Sequence, residues 1–217
     1  MGDVEAKISQ SLKNEGSRGA AASTLADNPS GGNSPVQPRT GGQRMPPAQG
    51  SSAKRQVVDN GDLDMRIARD GTWFYRGSPI PRPSLVKLFA SVLRREDDGS
   101  YWLVTPVERG RVEVEDAPFL AVEVTSDGEG PQRRLSFRTN LDQIVAAGPQ
   151  HKLRVETAAN GEPAPYLLVR PGLEARLNRP VFYELVELAD AERGDAGGPF
   201  GLWSDGVFFD LGDPEES

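Results

Sequence analysis

The sequence predicts an α+β fold in which a mostly antiparallel sheet is combined with two helices. Asp-Gly and Asn-Gly dipeptides lie between short runs of branched and aromatic residues, a pattern typical of β-hairpins. Two other segments repeat apolar residues at the spacing of an amphipathic helix. Because one hairpin signal and the helix signal each recur farther along the chain, we expect a duplicated core of strand hairpin plus helix.

Composition divides the chain into a tail and an ordered part. Residues 1–60 contain long runs of Gly, Pro, Ser, Asn and Gln, which cannot bury enough surface to offset chain entropy, so we predict a disordered N-terminal tail. The ordered part is predicted to consist of an N-terminal half, residues 61–106, and a C-terminal half, residues 107–212. Seven basic and five acidic side chains give the tail a charge of +2, which leaves −9 for the rest of a net −7. Because an ordered part with this much negative charge repels a phosphate backbone, we do not expect it to bind nucleic acid.

The residue types present exclude several classes of chemistry. There is no cysteine, which rules out disulfides, thiolate catalysis and zinc-thiolate sites and fits a reducing cytoplasm. We find no secretory signal and no apolar run long enough to span a membrane, so we expect a soluble cytoplasmic protein without membrane association. Phosphate-binding loops of the GxxxxGK[ST] and GxGxxG types are absent. We predict no catalytic residues, no metal site and no cofactor.

The first predicted elements are a hairpin and a helix. A strand around Met65–Ile67 turns at Asp70-Gly71 and returns through Thr72–Tyr75. Pro83 suits the first turn of a helix, and Arg94 and Arg95 are expected in its last turn, where cations complement the helix dipole. The apolar face of this helix comprises Leu85, Leu88, Phe89, Val92 and Leu93.

The middle of the chain is predicted to be mostly sheet. Strands are expected at Tyr101–Thr105, Arg111–Glu115 and Phe119–Thr125, followed by a hairpin strand containing Leu135 and Phe137. Asn140, in the segment Thr139–Gln143, is predicted to cap a single helical turn. The remaining predictions are a hairpin at Asn160-Gly161, a helix starting at Pro180 and a final hairpin at Asp205-Gly206.

The two helical segments align with each other. The segment 82–89 matches 179–186 in its Arg-Pro start and its apolar register, and the segment 70–74 matches 205–209. Duplication of a strand and helix unit explains both matches. Coincidence also explains them, because an early proline and an amphipathic face are general features of helices.

The motifs DGTWFYRGSPI, LVKLFASVLRRE, WLVTPVE, VEDAPF, TNLD, PYLLVR and VFYELVELA occur in this order between about residues 62 and 210, and together they resemble the uncharacterised bacterial family DUF1285. The resemblance implies an α+β fold with a duplicated core, whose second half looks superficially like a pleckstrin-homology domain. It also implies a site between the halves for a nucleotide-like ligand and a role in signal transduction. The family offers no catalytic residues to carry over.

Acidic and hydroxyl residues near strand ends are the first candidates for a ligand site. Thr105 and Glu108 follow a buried strand, a position where ligand groups often gather, although the Thr105 hydroxyl can equally cap local backbone. Asp116 precedes Ala117-Pro118 and is interpreted either as a turn residue or as a group pointing into a cleft. Glu113 and Glu115 are assigned to a solvated strand face. A hydrolase using Asp116 or Glu108 has no motif to support it.

Arginines are the candidates for binding an anion, because a guanidinium fork suits phosphate or carboxylate. In so acidic a protein the alternative is that each arginine pairs with a nearby carboxylate at the surface. The predicted ligand residues, with Asn140 among them, are Arg94, Arg95, Thr105, Glu108, Asp116, Arg138, Asn140, Arg154 and Arg170. His151, the single histidine, is interpreted as structural or exposed.

These observations favour a regulatory or sensory module, without enzymatic activity, that binds a small anionic ligand between its two halves. The alternative is a protein-interaction scaffold in which Trp73, Trp102 or Trp203 forms a partner-binding patch with nearby phenylalanines. If all three tryptophans lie in the core, that patch does not exist.

Overall fold

The computed structural model describes residues 57–158, 160–193 and 198–212. Two helices and two six-stranded sheets confirm the predicted α+β class. The predicted disordered tail lies outside the described residues except at its end, where the first strand already begins at Val58.

The first half contains six strands and one helix. In chain order they are β1 (Val58–Ile67), β2 (Trp73–Tyr75), β3 (Ser78–Pro79), α1 (Pro83–Ser91), β4 (Leu93–Arg95), β5 (Tyr101–Val104) and β6 (Glu108–Val114). The sheet has the order β3-β2-β1-β6-β5-β4, and its central pair, β1 and β6, is parallel. Asp70-Gly71 turns β1 into β2 as predicted, with Gly71 at φ +80°.

The second half contains a sheet of the same strand order. Its elements are β7 (Phe119–Asp127), a short 3-10 turn (Gly130–Gln132), β8 (Arg134–Thr139), β9 (Ile144–Ala146), β10 (Leu153–Thr157), β11 (Pro163–Arg170), β12 (Leu173–Leu177), α2 (Arg179–Arg193), β13 (Gly201–Ser204) and β14 (Val207–Asp210). The order β9-β8-β7-β12-β11-β10, with β7 and β12 parallel, repeats that of the first half. The halves are therefore duplicated at the level of their sheets.

The helices do not take equivalent positions in the two halves. Helix α1 connects β3 to β4, whereas α2 follows β12 and leads to a separate hairpin of β13 and β14. The aligned residues also differ in burial, since Val86 of α1 is buried and its counterpart Tyr183 of α2 is exposed. The alignment of the two helices therefore reflects general helix features, and the duplication lies in the strand order.

The boundary between the halves also differs from the predicted division after residue 106. Strand β6 pairs with β1 and β5, so it belongs to the first sheet, and the chain crosses to the second sheet only between Val114 and Phe119. We call residues 115–118 the linker.

Helix α1 is shorter than predicted. It ends at Ser91, and Leu93–Arg95 forms β4, which pairs with β5. Leu93 is fully buried there, opposite Leu103 of β5. Burial of Leu93 in the sheet therefore outweighs continuation of the helix, and Arg94 and Arg95 lie on a strand.

One hydrophobic core serves both halves. Trp73 and Phe89 from the first half, with ring centroids 6.4 Å apart, belong to the same buried cluster as Phe119, Phe137 and Leu167 from the second. Because the core is continuous, each half supports the face that the other presents to it.

Candidate functional site

A cleft of about 370 Å³ lies where the two halves meet. We call it the seam cleft. The first half contributes Arg69, from the turn between β1 and β2, and the second half contributes residues of β11, β12 and the start of α2. Its charged side chains are Arg69, Arg176, Arg179 and Glu162, and its apolar wall is formed by Leu120, Pro163, Pro165, Leu177, Phe182 and Tyr183.

Arg69 is held by its backbone while its side chain remains exposed. Its amide donates to Glu115 Oε2 at 3.0 Å, and Glu115 also pairs with Arg66. The side chain is 70% exposed, and its Nε lies 3.6 Å from the carboxylate of Asp116. An anchored backbone with an exposed guanidinium allows this side chain to reorient toward a ligand.

Arg179 begins helix α2 and is also exposed. Its Nη2 donates to both carboxylate oxygens of Glu162, at 2.8 and 2.9 Å. The side chain of Asn160 and then the Arg179 guanidinium lower the pKa of Glu162. Asn178 caps the helix, since its Oδ1 accepts from Val181 N at 2.9 Å. The positive end of the helix dipole therefore adds to the cationic wall.

The linker residue Asp116 is bound by groups from both halves. Its side chain is only 10% exposed; Oδ1 accepts from the Tyr166 hydroxyl at 2.8 Å, and Oδ2 accepts from Arg176 and lies near Arg69. Burial and the hydrogen bond to Asp116 raise the pKa of Tyr166 to about 12. Asp116 is not among the residues that line the seam cleft, but its carboxylate contacts two of the arginines that do.

A second cleft, of about 250 Å³, lies within the first half. Glu108 and Thr105 both line it, and both make local hydrogen bonds. Thr105 Oγ1 donates to Glu108 O at 2.9 Å and accepts from Glu108 N at 3.1 Å, while Glu108 Oε2 accepts from Asn60 Nδ2 at 3.0 Å. The two predicted residues thus lie together, away from the seam cleft, and Thr105 caps local backbone.

Family models match the chain over both halves. "Domain of unknown function (DUF1285), N-terminal domain" matches residues 56–117, and "Protein of unknown function (DUF1285), C-terminal domain" matches residues 118–211. The chain belongs to the DUF1285 family. The two models meet in the linker, at the same place where the chain passes from one sheet to the other.

Two solved structures are similar to this DUF1285 chain. A DUF1285 family protein from Silicibacter pomeroyi DSS-3 is 49% identical with a TM-score of 0.67, and the match covers 74% of this chain and 86% of that one. A DUF1285 family protein from Shewanella baltica OS155 is 30% identical with a TM-score of 0.47, covering 60% and 95%. No curated protein matches the chain. The matches show the family and not an activity.

None of the predicted arginines lines the seam cleft. Arg94 donates to Leu93 O at 2.8 Å, Arg95 lies over the Tyr101 ring, and Arg138 pairs with Glu123 and Asp142. Arg154 donates to both oxygens of Glu174, at 2.8 and 2.7 Å. Arg138 and Arg154 therefore form surface ion pairs, which is the alternative that the sequence left open.

Arg170 and Asn140 connect the two halves. Arg170 Nη2 donates to Ala90 O at the end of α1, at 2.7 Å. Asn140 does not cap a helical turn, because its segment is the turn between β8 and β9; its Oδ1 accepts from Leu120 N and its Nδ2 donates to Gly71 O. Both residues thus hold the halves together.

The three cleft arginines of this DUF1285 protein were not predicted from the sequence. Arg69 directly precedes the Asp70-Gly71 turn, and Arg179 occupies the first turn of a helix beside Pro180, so both occur at signals that were recognised for their structure alone. Arg176 lies on a strand whose charged residues alternate with buried ones. That alternation does not distinguish it from an ordinary surface arginine.

Other kinds of site find no support in the part of the chain that the structure describes. No cluster of three or more His, Asp or Glu side chains there is arranged to hold a metal ion. No helix within the described ranges has the length and apolar character needed to cross a membrane. His151 Nδ1 lies 2.9 Å from Leu168 O, which is a structural contact.

The tryptophans do not form one patch. Trp73 is buried in the core. Trp102, on β5, lies under the guanidinium of Arg109, and Trp203, on β13, packs against the ring of Phe208. Trp73 is therefore removed from the scaffold hypothesis, and the other two lie in different sheets.

Proposed function

We propose that this protein is a cytoplasmic regulatory module without enzymatic activity, which binds a small organic anion in the seam cleft and acts in signal transduction. The main observation behind the proposal is that both halves contribute arginines to the cleft: Arg69 belongs to one half, and Arg176 and Arg179 belong to the other. A ligand that contacts all three depends on the relative position of the halves, which is what a sensor requires.

The lining of the cleft supports an anion with a planar apolar part, such as a nucleotide. Three guanidiniums face two carboxylates, those of Glu162 and Asp116, which leaves an excess positive charge in an otherwise acidic protein. Phe182, Tyr183 and two prolines offer a surface for a ring. The volume is at the lower end of the range of small-molecule sites.

The absence of enzymatic activity is part of the proposal. The residues that line the cleft include no histidine and no cysteine, and the carboxylate of Glu162 is bound by Arg179 on both oxygens. These groups are suited to binding and provide no evident general base or nucleophile.

The test is a thermal-shift screen of the full chain against nucleotides and other phosphorylated or carboxylated metabolites, followed by calorimetric titration. A ligand of the native state raises the melting temperature, by an amount that corresponds to about 2.7 kcal/mol at a hundredfold excess over Kd. Arg179→Gln is expected to weaken binding about tenfold or more, because it removes a charge-assisted contact.

Arg138→Gln is the matched control, because Arg138 is also an exposed arginine paired with a carboxylate but lies outside the cleft. A flat screen, or a ligand whose affinity falls equally in both variants, would contradict the proposed function.

A further inference from the structure

Asp116 is an acidic residue inserted between the cations of the seam cleft. It belongs to the linker, and its carboxylate lies between Arg69 of the first half, at 3.6 Å, and Arg176 of the second half, with which it forms a closer ion pair. Arg69 and Arg176 are also two of the three guanidiniums that line the cleft. A bound anion and Asp116 would therefore use the same two partners.

The contacts of Asp116 differ in strength in a way that permits exchange. The contact with Arg69 is long, and the Arg69 side chain is 70% exposed, so its guanidinium can leave Asp116 at low cost. The Tyr166 hydroxyl donates to the other carboxylate oxygen of Asp116 at 2.8 Å, and Tyr166 does not line the cleft. Asp116 therefore keeps one neutral hydrogen bond if a ligand takes its arginines.

We propose that the carboxylate of Asp116 acts as an internal anion that competes with the ligand for Arg69 and Arg176, so that binding in the seam cleft loosens the linker between the halves. This inference rests on the proposed function and adds to it the regulation of the site. It also defines the charge of the ligand. The cleft wall itself holds three guanidiniums and the single carboxylate of Glu162, and this excess of two positive charges matches a dianionic group such as a phosphate monoester or a dicarboxylate.

The test uses inorganic pyrophosphate as the probe, titrated calorimetrically into the full chain. Asp116→Asn removes the competing charge and is expected to tighten pyrophosphate binding about tenfold or more. Tyr166→Phe changes no charge at neutral pH but removes the one hydrogen bond that Asp116 keeps when a ligand takes its arginines, so Asp116 holds the arginines more strongly and binding is expected to weaken about threefold to tenfold. The second variant separates competition from a through-space effect of charge, and it remains informative if Asp116→Asn does not fold.

Two controls identify the site. Arg179→Gln weakens pyrophosphate binding if the probe occupies the seam cleft, and Asp142→Asn, which removes an exposed carboxylate from the Lys87 and Arg138 pairs, leaves it unchanged. Binding that appears only in Asp116→Asn supports the inference, since the wild-type carboxylate then excludes the probe.

The outcomes that overturn the inference differ from those that overturn the proposed function. Binding that is sensitive to Arg179→Gln but unchanged in Tyr166→Phe refutes competition and leaves the anion site intact. Failure of the wild type and of every variant to bind pyrophosphate refutes the competition, and together with a flat metabolite screen it also refutes the proposed function.

Discussion

The two halves share a strand order but use opposite ends of their helices at the boundary between them. The second half contacts the C-terminal end of α1, because Arg170 donates a hydrogen bond to Ala90 O. The start of α2 lines the open seam cleft, together with Arg69 from the first half. A carbonyl end attracts a protein cation, whereas an amide end beside arginines attracts an anion from solution. Duplicated sheets thus supply the frame, and helix placement decides which boundary is filled and which can bind.

The largest expected difference between the halves concerns the leucines that align in the two helices. Leu185 of α2 is fully buried, so Leu185→Ala is expected to lower the free energy of unfolding by about 2–5 kcal/mol. Its counterpart Leu88 of α1 is only partly buried, and Leu88→Ala is expected to cost less than about 2 kcal/mol. Urea denaturation of both variants measures the difference. Equal losses would show that the helices are equivalent after all.

A smaller effect is expected where the second half caps α1. Arg170→Met keeps the apolar stem near Phe119 but removes the charged side-chain donor that bonds Ala90 O across the boundary, at a cost of about 1.5–3 kcal/mol in the free energy of unfolding. Arg94→Met is the matched control, since Arg94 donates to Leu93 O from within its own half.

The control variant is expected to change stability by less than about 1 kcal/mol, because Arg94 is exposed and its charge is unfavourable for nearby Arg170, whose pKa is lowered by burial and by that charge. Chemical denaturation at neutral pH measures the free energy of unfolding of both variants. A larger loss in Arg94→Met than in Arg170→Met would mean that the contact between the halves is unimportant.

The smallest difference is expected between the two Asp-Gly turns. Gly71 and Gly206 have φ +80° and +77°, so alanine at either position adopts a left-handed conformation that costs about 1–2 kcal/mol. An added Cβ at Gly71 would lie 2.5 Å from Asn140 Nδ2, whereas nothing lies within 4 Å at Gly206. Gly71→Ala should therefore destabilise the protein by about 1 kcal/mol more, through the hydrogen bonds of Asn140. Thermal unfolding of the two variants side by side tests this, and equal shifts would remove Asn140 from the contact between the halves.

Much of the fold could be predicted because its signals are local. The turns at Asp70-Gly71, Asn160-Gly161 and Asp205-Gly206 depend on residues next to one another in sequence, and all three occur where expected. The end of α1 could not be predicted in this way. Leu93 continues the apolar face of the helix, and only its pairing with β5 explains why it lies in a strand.

The site was harder to predict because it depends on contacts between distant segments. Asp116 was identified as a candidate, but its partners Arg69 and Arg176 come from opposite sides of the linker. Arg170 and Asn140 were identified as polar residues at plausible positions, yet both connect the halves instead of facing the cleft. The sequence thus pointed to residues near the linker, and the contacts of each side chain became known only from the packing of the two sheets.

The parallel pair at the centre of each sheet determines how each half is completed during folding. Val58 pairs with Glu108 and Phe119 with Ala175, so in both halves the first strand meets the last. Such pairings carry a high contact order, because a long loop must close before they form. During synthesis on the ribosome, neither sheet has its central ladder until its sixth strand has emerged. We therefore expect each sheet to close late, and the shared core to be completed only when both sheets have formed.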